Sequence, residues 1–269
     1  AGSTVLLHGG TAQAAEPHDY TETKTTVNGL EGTNKTGYMS DNRIVLGTEG
    51  GPTDRPSNTF GIFSGGGKKN ATADVSNNTI TIHGLRTSNG GGWSMIYGGV
   101  SGTGAVTGNK VFFNNGYSAD AVIGGYSASL TKSVSNNTVE VKAGKIDEDI
   151  IGGWSDKAAS TGQVSDNKVV ISGGELGSYG AGIIYGARVT GNGLVTNNSV
   201  EFSNATSKKA VYGAAGDDAA STAAIKENHV TINSGTLSSD VFGGYTTGKG
   251  AVTGNSVTIK GGTLKDEAG

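Results

Sequence analysis

The sequence predicts an all-β protein built as a right-handed parallel β-helix, and three observations carry that prediction. One short sentence of sequence recurs along nearly the whole chain at a period near 30 residues. Each copy alternates β-branched and polar residues with period two. Paired small residues return at a fixed place in each copy. Self-similarity at this period is the mark of a solenoid or array. Period-two alternation is the mark of strands with one face buried.

The first strand is the most regular. Val75-Ser76-Asn77-Asn78-Thr79-Ile80-Thr81-Ile82 returns from Val106, Val134, Val164, Val195, Ile225 and Val252, and a looser copy begins at Met39. The fourth residue is always asparagine: Asn42, Asn78, Asn109, Asn137, Asn167, Asn198, Asn228 and Asn255. Asn78, Ile80 and Ile82 alternate with Thr79, Thr81 and His83, so the first set faces inward. The phase of the alternation slips between Val75 and Ile80. That predicts a corner at Asn77-Asn78, where asparagine tolerates a left-handed backbone. Stacked coils would then align the asparagines in a ladder of side-chain amides.

A second strand follows 12 to 16 residues later, as Met95-Ile96-Tyr97-Gly98-Gly99 or Ala121-Val122-Ile123-Gly124-Gly125. Its other copies start at Asp149, Ile183, Ala210 and Asp240. The small pairs let the backbone turn where a Cβ would obstruct it. A third short strand leads into each Val75-type residue, giving two or three strands per turn. About eight coils spaced by about 4.8 Å make a rod roughly 40 Å tall. A propeller is the rival all-β reading, but its blades need about 40 residues or more. Residues 1–269 read as one body: a partial first coil with a long insertion over 1–38, regular repeats over 39–264, and the start of a cut coil over 265–269. The longer spacers, 11–38, 47–59, 84–94, 172–182 and 213–224, read as loops on one side, often the binding side of a solenoid.

Composition narrows the functional classes. Glycine supplies 48 of 269 residues, well above the usual share of about 7%. The absence of cysteine excludes disulfides and thiolate metal sites, and fits a chain threaded unfolded through a cell envelope. A net charge of −3 without a basic tract argues against nucleic acid. No apolar run nears the ~18 residues of a membrane-spanning helix. Val5-Leu6-Leu7 is too short for the core of a signal peptide, and the chain reads as a piece of something longer.

The alternation of V-[ST]-x-N-x-V-x-[IV]-x-x-G with [VI]-[YFI]-G-G-[YW] resembles the repeat in passenger regions of bacterial autotransporter adhesins and related large surface proteins. Val134–Gly144 with Asp149–Trp154, and Ile225–Gly235 with Asp240–Tyr245, carry it best. Ala187 and Ala214 depart from it by replacing the second glycine, and Arg188 and Ala215 replace the aromatic. The resemblance covers roughly residues 39–264. It implies a β-helical stalk, secreted or anchored at the outer membrane of a Gram-negative cell. It also implies attachment to a host-cell surface protein or glycan, or self-association between cells.

No catalytic constellation stands out, and the expectation is a non-enzymatic protein without cofactor or metal. Asp147, Glu148 and Asp149 form the densest acidic cluster, and Asp217 and Asp218 a second. Glu140 and Glu201 lie two coils apart, about 10 Å, slightly beyond the separation of a glycosidase pair. The histidines His8, His18, His83 and His229 share no repeat position. A calcium ion at Asp147–Asp149 would act as a stability device. The candidate ligand-binding residues are aromatic: Trp93, Tyr97, Tyr126, Trp154, Tyr185, Tyr212 and Tyr245, with Arg188 as a charged anchor. Either this stripe faces solvent as an interaction surface, or a corner or loop covers it. Two alternatives to the adhesin remain: a polysaccharide-degrading enzyme on the same scaffold, and a passive stalk that spaces a distal binding domain.

Overall fold

The computed structural model describes residues 16–24, 27, 29–52, 61–87, 95–177 and 182–265. These form a parallel β-solenoid of about seven turns, with 48% of the chain in strands. The predicted fold class is therefore the observed one, but each regular coil carries four strands and not two or three. In one such coil Val134–Ser135, Thr138–Val141, Lys145–Ile146 and Ile150–Ser155 follow one another, and Val164 opens the next.

Stacking turns these into four sheets, parallel at every pairing. The asparagine sheet runs through Thr79–His83, Lys110–Phe113, Thr138–Val141, Lys168–Ile171 and Ser199–Phe202 to Ser256–Ile259. The glycine sheet includes Phe63–Lys68, Ile96–Ser101, Val122–Ser127, Ile150–Ser155, Ile184–Val189 and Val211–Gly216. A valine sheet joins the two-residue strands at Val106, Val134, Val164, Val195 and Ile225. The fourth sheet joins Lys145–Ile146, Glu175–Leu176, Thr206–Ser207 and Thr236–Leu237. Its strands are two residues long at most copies, too short for an alternation to show in sequence.

Register is one repeat per rung. Val111, Val139, Val169, Val200, Val230 and Val257 stand directly opposite one another along the axis. The aliphatic residues of the asparagine and glycine sheets meet inside as one core, in which Ile80, Val111, Val139, Ile96, Val122 and Ile150 are fully buried. A smaller cluster of Val134, Val164, Val195 and Ile225 with Ala187, Val189, Ala214 and Ala223 fills the valine corner.

The predicted corner is present in every coil, and its left-handed residue is the one before the ladder asparagine. Asp41, Asn77, Asn136, Asp166, Asn197 and Glu227 take φ of 56–60°, and Gly108 and Gly254 take 71° and 66°. The segment expected as an insertion over 11–38 does more than connect. His18–Glu22 pairs in register under Asn42–Leu46, and Leu30–Glu31 pairs under Phe63–Ser64. A short helix, Gly32–Thr36, follows, and its Thr36 hydroxyl donates to Asn42 Oδ1 at the foot of the ladder.

Candidate functional site

The asparagine ladder forms as expected and is more fully bonded than amide stacking alone. From Asn42 to Asn228, the backbone N–H and the side-chain Nδ2 of each asparagine both donate to Oδ1 of the next, at 2.8–3.1 Å. From Asn78 on, the second Nδ2 proton goes to a main-chain carbonyl of the preceding coil, such as Val106 for Asn137 and Val134 for Asn167, while that of Asn42 goes to the carbonyl of Tyr38. Buried amides must be satisfied in this way. The ladder is an internal fastening, leaving no donor over for a ligand between Asn78 and Asn198.

The second glycine of each pair makes room for that fastening. A Cβ at Gly99, Gly125 or Gly153 would fall 2.4 Å from the Cγ of Asn109, Asn137 or Asn167. Where alanine replaces glycine, at 187 and 214, the second Nδ2 proton of the facing asparagine is shared with a further carbonyl: Thr196 O for Asn198 and Lys226 O for Asn228, each at 3.0 Å.

The candidate aromatic residues lie together on the outer side of the glycine sheet, in two columns. Tyr97, Ile123, Ile151, Tyr185, Tyr212 and Phe242 form one column. Val100, Tyr126, Trp154, Arg188, Ala215 and Tyr245 form the other. Trp93 lies outside the described residues.

Of the two readings of the stripe the covered one holds, and the open interaction surface is overturned: most of the stripe is a second core. Tyr97 is fully buried, Tyr126 and Tyr185 are buried, and Trp154 and Tyr212 are half-buried. Only Phe242 and Tyr245, in the last described turns, are open to solvent. The physical reason is ring-on-ring packing. Tyr126 meets Tyr97 at 5.7 Å and Trp154 at 5.2 Å, both edge to face. Tyr212 contacts Tyr185, Phe242 and Tyr245 at 5.2–5.5 Å. Burial raises the phenols of Tyr97, Tyr126 and Tyr185 above the ordinary tyrosine range.

Arg188 bridges the gap between the two groups of rings. Its guanidinium lies 4.6 Å over Trp154 and 5.5 Å over Tyr185. The same guanidinium pairs with Asp149 at 3.1 Å and Asp217 at 2.6 Å. The two acidic clusters of the sequence thus converge on one arginine. At the other end Lys69 covers Tyr97 and Tyr126.

Beside Trp154 and Arg188 opens a cleft of about 340 Å³, lined also by Met95, Asp120, Ala121, Glu148 and Asp149. Asp149 is held by Arg188 and by the main chain of Ile183. Glu148 has no ion pair among the described residues, and burial, opposed by Lys209, raises its carboxyl above the usual range. Behind it Lys209 is buried, and its Nζ donates to the carbonyl of Asp147 two coils away. Burial lowers this amine to about 8, against the pull of Asp149, Glu148 and Asp147.

Sequence reasoning missed Lys209, Lys69 and the part played by Asp120. Asp120 was legible in one respect: it stands two residues before Val122 as Glu148 stands before Ile150. Lys209 gave no signal, since its role depends on a reach across two coils. Glu201 takes Lys168 at 2.7 Å, which leaves it a surface ion-pair partner. Among the described residues no group of three or more histidines and carboxylates is placed to hold a metal. Compared with known proteins, the chain matches no family model, no curated protein and no solved structure.

Proposed function

We propose that this chain is a non-enzymatic adhesin fragment from the passenger region of an autotransporter-type bacterial surface protein. It presents a solenoid flank for attachment to host cells or to other bacteria, at the outer membrane or after secretion. The observation that carries this reading is the division of labour in the repeat. Asparagines, aliphatic residues and most rings are spent on joining coils, while the cleft at Met95, Glu148, Trp154 and Arg188 opens outward with a mixed polar and apolar lining. Such a lining suits a surface glycan or a protein loop. No helix among the described residues is long and apolar enough to cross a membrane.

The test is binding of the purified chain to a glycan array and to host-cell surfaces, repeated with Glu148→Gln and Trp154→Ala. Loss in both variants assigns attachment to the cleft. Full binding by both, or no binding by the parent chain, removes the cleft from the account.

One observation favours a second reading, a polysaccharide-degrading enzyme. Glu148 is raised by burial next to an ion-paired Asp149, and unequal carboxylates in one cleft are the raw material of acid–base chemistry. Release of reducing ends or unsaturated sugars from a polysaccharide panel, lost in Glu148→Gln, would establish it.

A further inference from the structure

The corner residue before each ladder asparagine varies in a pattern that neither the fold nor attachment through the cleft requires. Along the coils it reads Asp41, Asn77, Gly108, Asn136, Asp166, Asn197, Glu227, Gly254. The residue two places on reads Arg43, Thr79, Lys110, Thr138, Lys168, Ser199, His229, Ser256. The two columns change together. Wherever the corner is asparagine, the second position is a hydroxyl residue. In four of the five other coils that position is a lysine, arginine or histidine. The left-handed corner accounts for Asn, Asp or Gly in the first column. It places no demand on the second, which lies on the outer face of the asparagine sheet. What the pairing does create is Asn-x-Thr or Asn-x-Ser, the acceptor tripeptide for N-linked sugar, on every second coil between Asn77 and Asn197.

We infer that Asn77, Asn136 and Asn197 form a row of N-glycosylation sites along one corner of the solenoid. All three side chains are exposed. Asn77 makes one long bond, Nδ2 to Asp41 at 3.3 Å, and no side-chain hydrogen bond reaches Asn136 or Asn197 among the described residues. The sites lie two coils apart, about 10 Å along the axis, so neighbouring sugars avoid the crowding that substitution of every coil would bring. The co-reactant is a hexose activated by a diphosphate at its anomeric carbon. Asparagine Nδ2 forms the bond to C1, the C1–O bond to the diphosphate breaks, one Nδ2 proton is lost to a base, and no oxidation state changes. The middle residues of the tripeptides, Asn78, Asn137 and Asn198, are fully buried ladder rungs. A transferase that reads the extended tripeptide therefore meets it before the coil closes, and the fold then carries the sugar outward.

The solenoid supplies its own control variants. Asp stands at the same corner in coils 41 and 166, so Asn77→Asp, Asn136→Asp and Asn197→Asp remove the acceptor while keeping a residue the corner already accepts. The experiment is peptide mass mapping of the full chain isolated from the cells that make it, and of the three variants expressed in the same cells. The expected result is one glycan on each of the three asparagines, lost singly with each substitution while the melting temperature stays unchanged. Unmodified asparagine at all three positions overturns the inference. So does a glycan that persists after the matching substitution. As a second arm, the chain is co-expressed with a soluble transferase that reads Asn-x-[Ser/Thr] and uses nucleotide-activated glucose. Hexose on Asn77, Asn136 and Asn197, located by peptide mapping apart from any at the tripeptides that begin at Asn34, Asn70 and Asn204, is expected on a chain with unaltered circular dichroism. Hexose addition that abolishes the folded spectrum would show that the corner cannot carry sugar, and would equally overturn the inference. Failure here leaves attachment through Glu148 and Trp154 untouched, because the row lies at the corner leading into the asparagine sheet and the cleft on the outer side of the glycine sheet.

Discussion

The carboxamide of Asn137 occupies the space that a side chain would take at Gly125, where a Cβ would sit 2.4 Å from Asn137 Cγ and Nδ2. The paired glycine is thus the other half of the ladder, not a loose hinge. Gly125→Ala should destabilise the chain by about 1–3 kcal/mol, the usual cost of overfilling a packed interior. Ala187→Gly should cost no more than about 1 kcal/mol, the backbone entropy of glycine. Urea denaturation of the two variants measures both, and equal losses would separate glycine from ladder.

Asn137→Ala removes one rung. It strands the N–H of Asn109 and one of its Nδ2 protons, both buried. At about 1–3 kcal/mol per unsatisfied group, the loss should reach at least about 2 kcal/mol. Because each coil meets only its neighbours, hydrogen exchange should quicken first in the coils on either side of 137.

Glu227 is the one long side chain in the left-handed corner, at φ 58°. Its backbone cost of about 1–2 kcal/mol is absent for glycine, which stands at this place as Gly108 and Gly254. Glu227→Gly should therefore raise the melting temperature by roughly 1–3 °C, after subtraction of glycine's own entropy. A lower melting temperature would contradict the strain.

The pH profile follows from Lys209 and the buried phenols. Lys209 in the folded chain titrates at about 8, below its ordinary value of 10.5, so between these pH values the unfolded state binds more protons. Stability should rise through that window, by at most about 1.4 kcal/mol per pH unit for one group. The buried tyrosines act oppositely. Their folded pKa values lie above the ordinary 10, so their contribution is lost as the pH climbs past 10. Stability should peak between pH 9 and 10 on a roughly unit scale, and Lys209→Met should abolish the rise above pH 8 while leaving the fall beyond 10.

Much of this architecture was legible in the chain because it is written once per coil. The inward set Asn78, Ile80, Ile82, the left-handed corner at Asn77 and the rung-by-rung register all follow from local alternation repeated in phase. Strands such as Lys145–Ile146 escaped because two residues carry no period. The aromatic columns were legible as columns, and their burial as one of two readings that the sequence left open. Period-two alternation sends Tyr97 outward correctly, yet the outer side of a sheet becomes a core once rings, Met95 and Ile62 pack over it. The cleft was half legible: Trp154 and Arg188 are marked by their repeat positions, while Lys209 and Met95 arrive from other coils and leave no trace in any one repeat.

One measurement tests the stacking of one repeat per coil most directly. The chain has no cysteine, so paired cysteines report register without interference. Thr138 and Lys168 stand opposite each other on the outer face of the asparagine sheet. Their Cα atoms should be about 4.8 Å apart, within the 4.4–6.8 Å that a disulfide spans. Thr138→Cys with Lys168→Cys should oxidise readily in the folded protein, while Thr138→Cys with Val170→Cys, two residues out of register, should stay reduced. Oxidation of the second pair in preference to the first would contradict the solenoid on which every other statement rests.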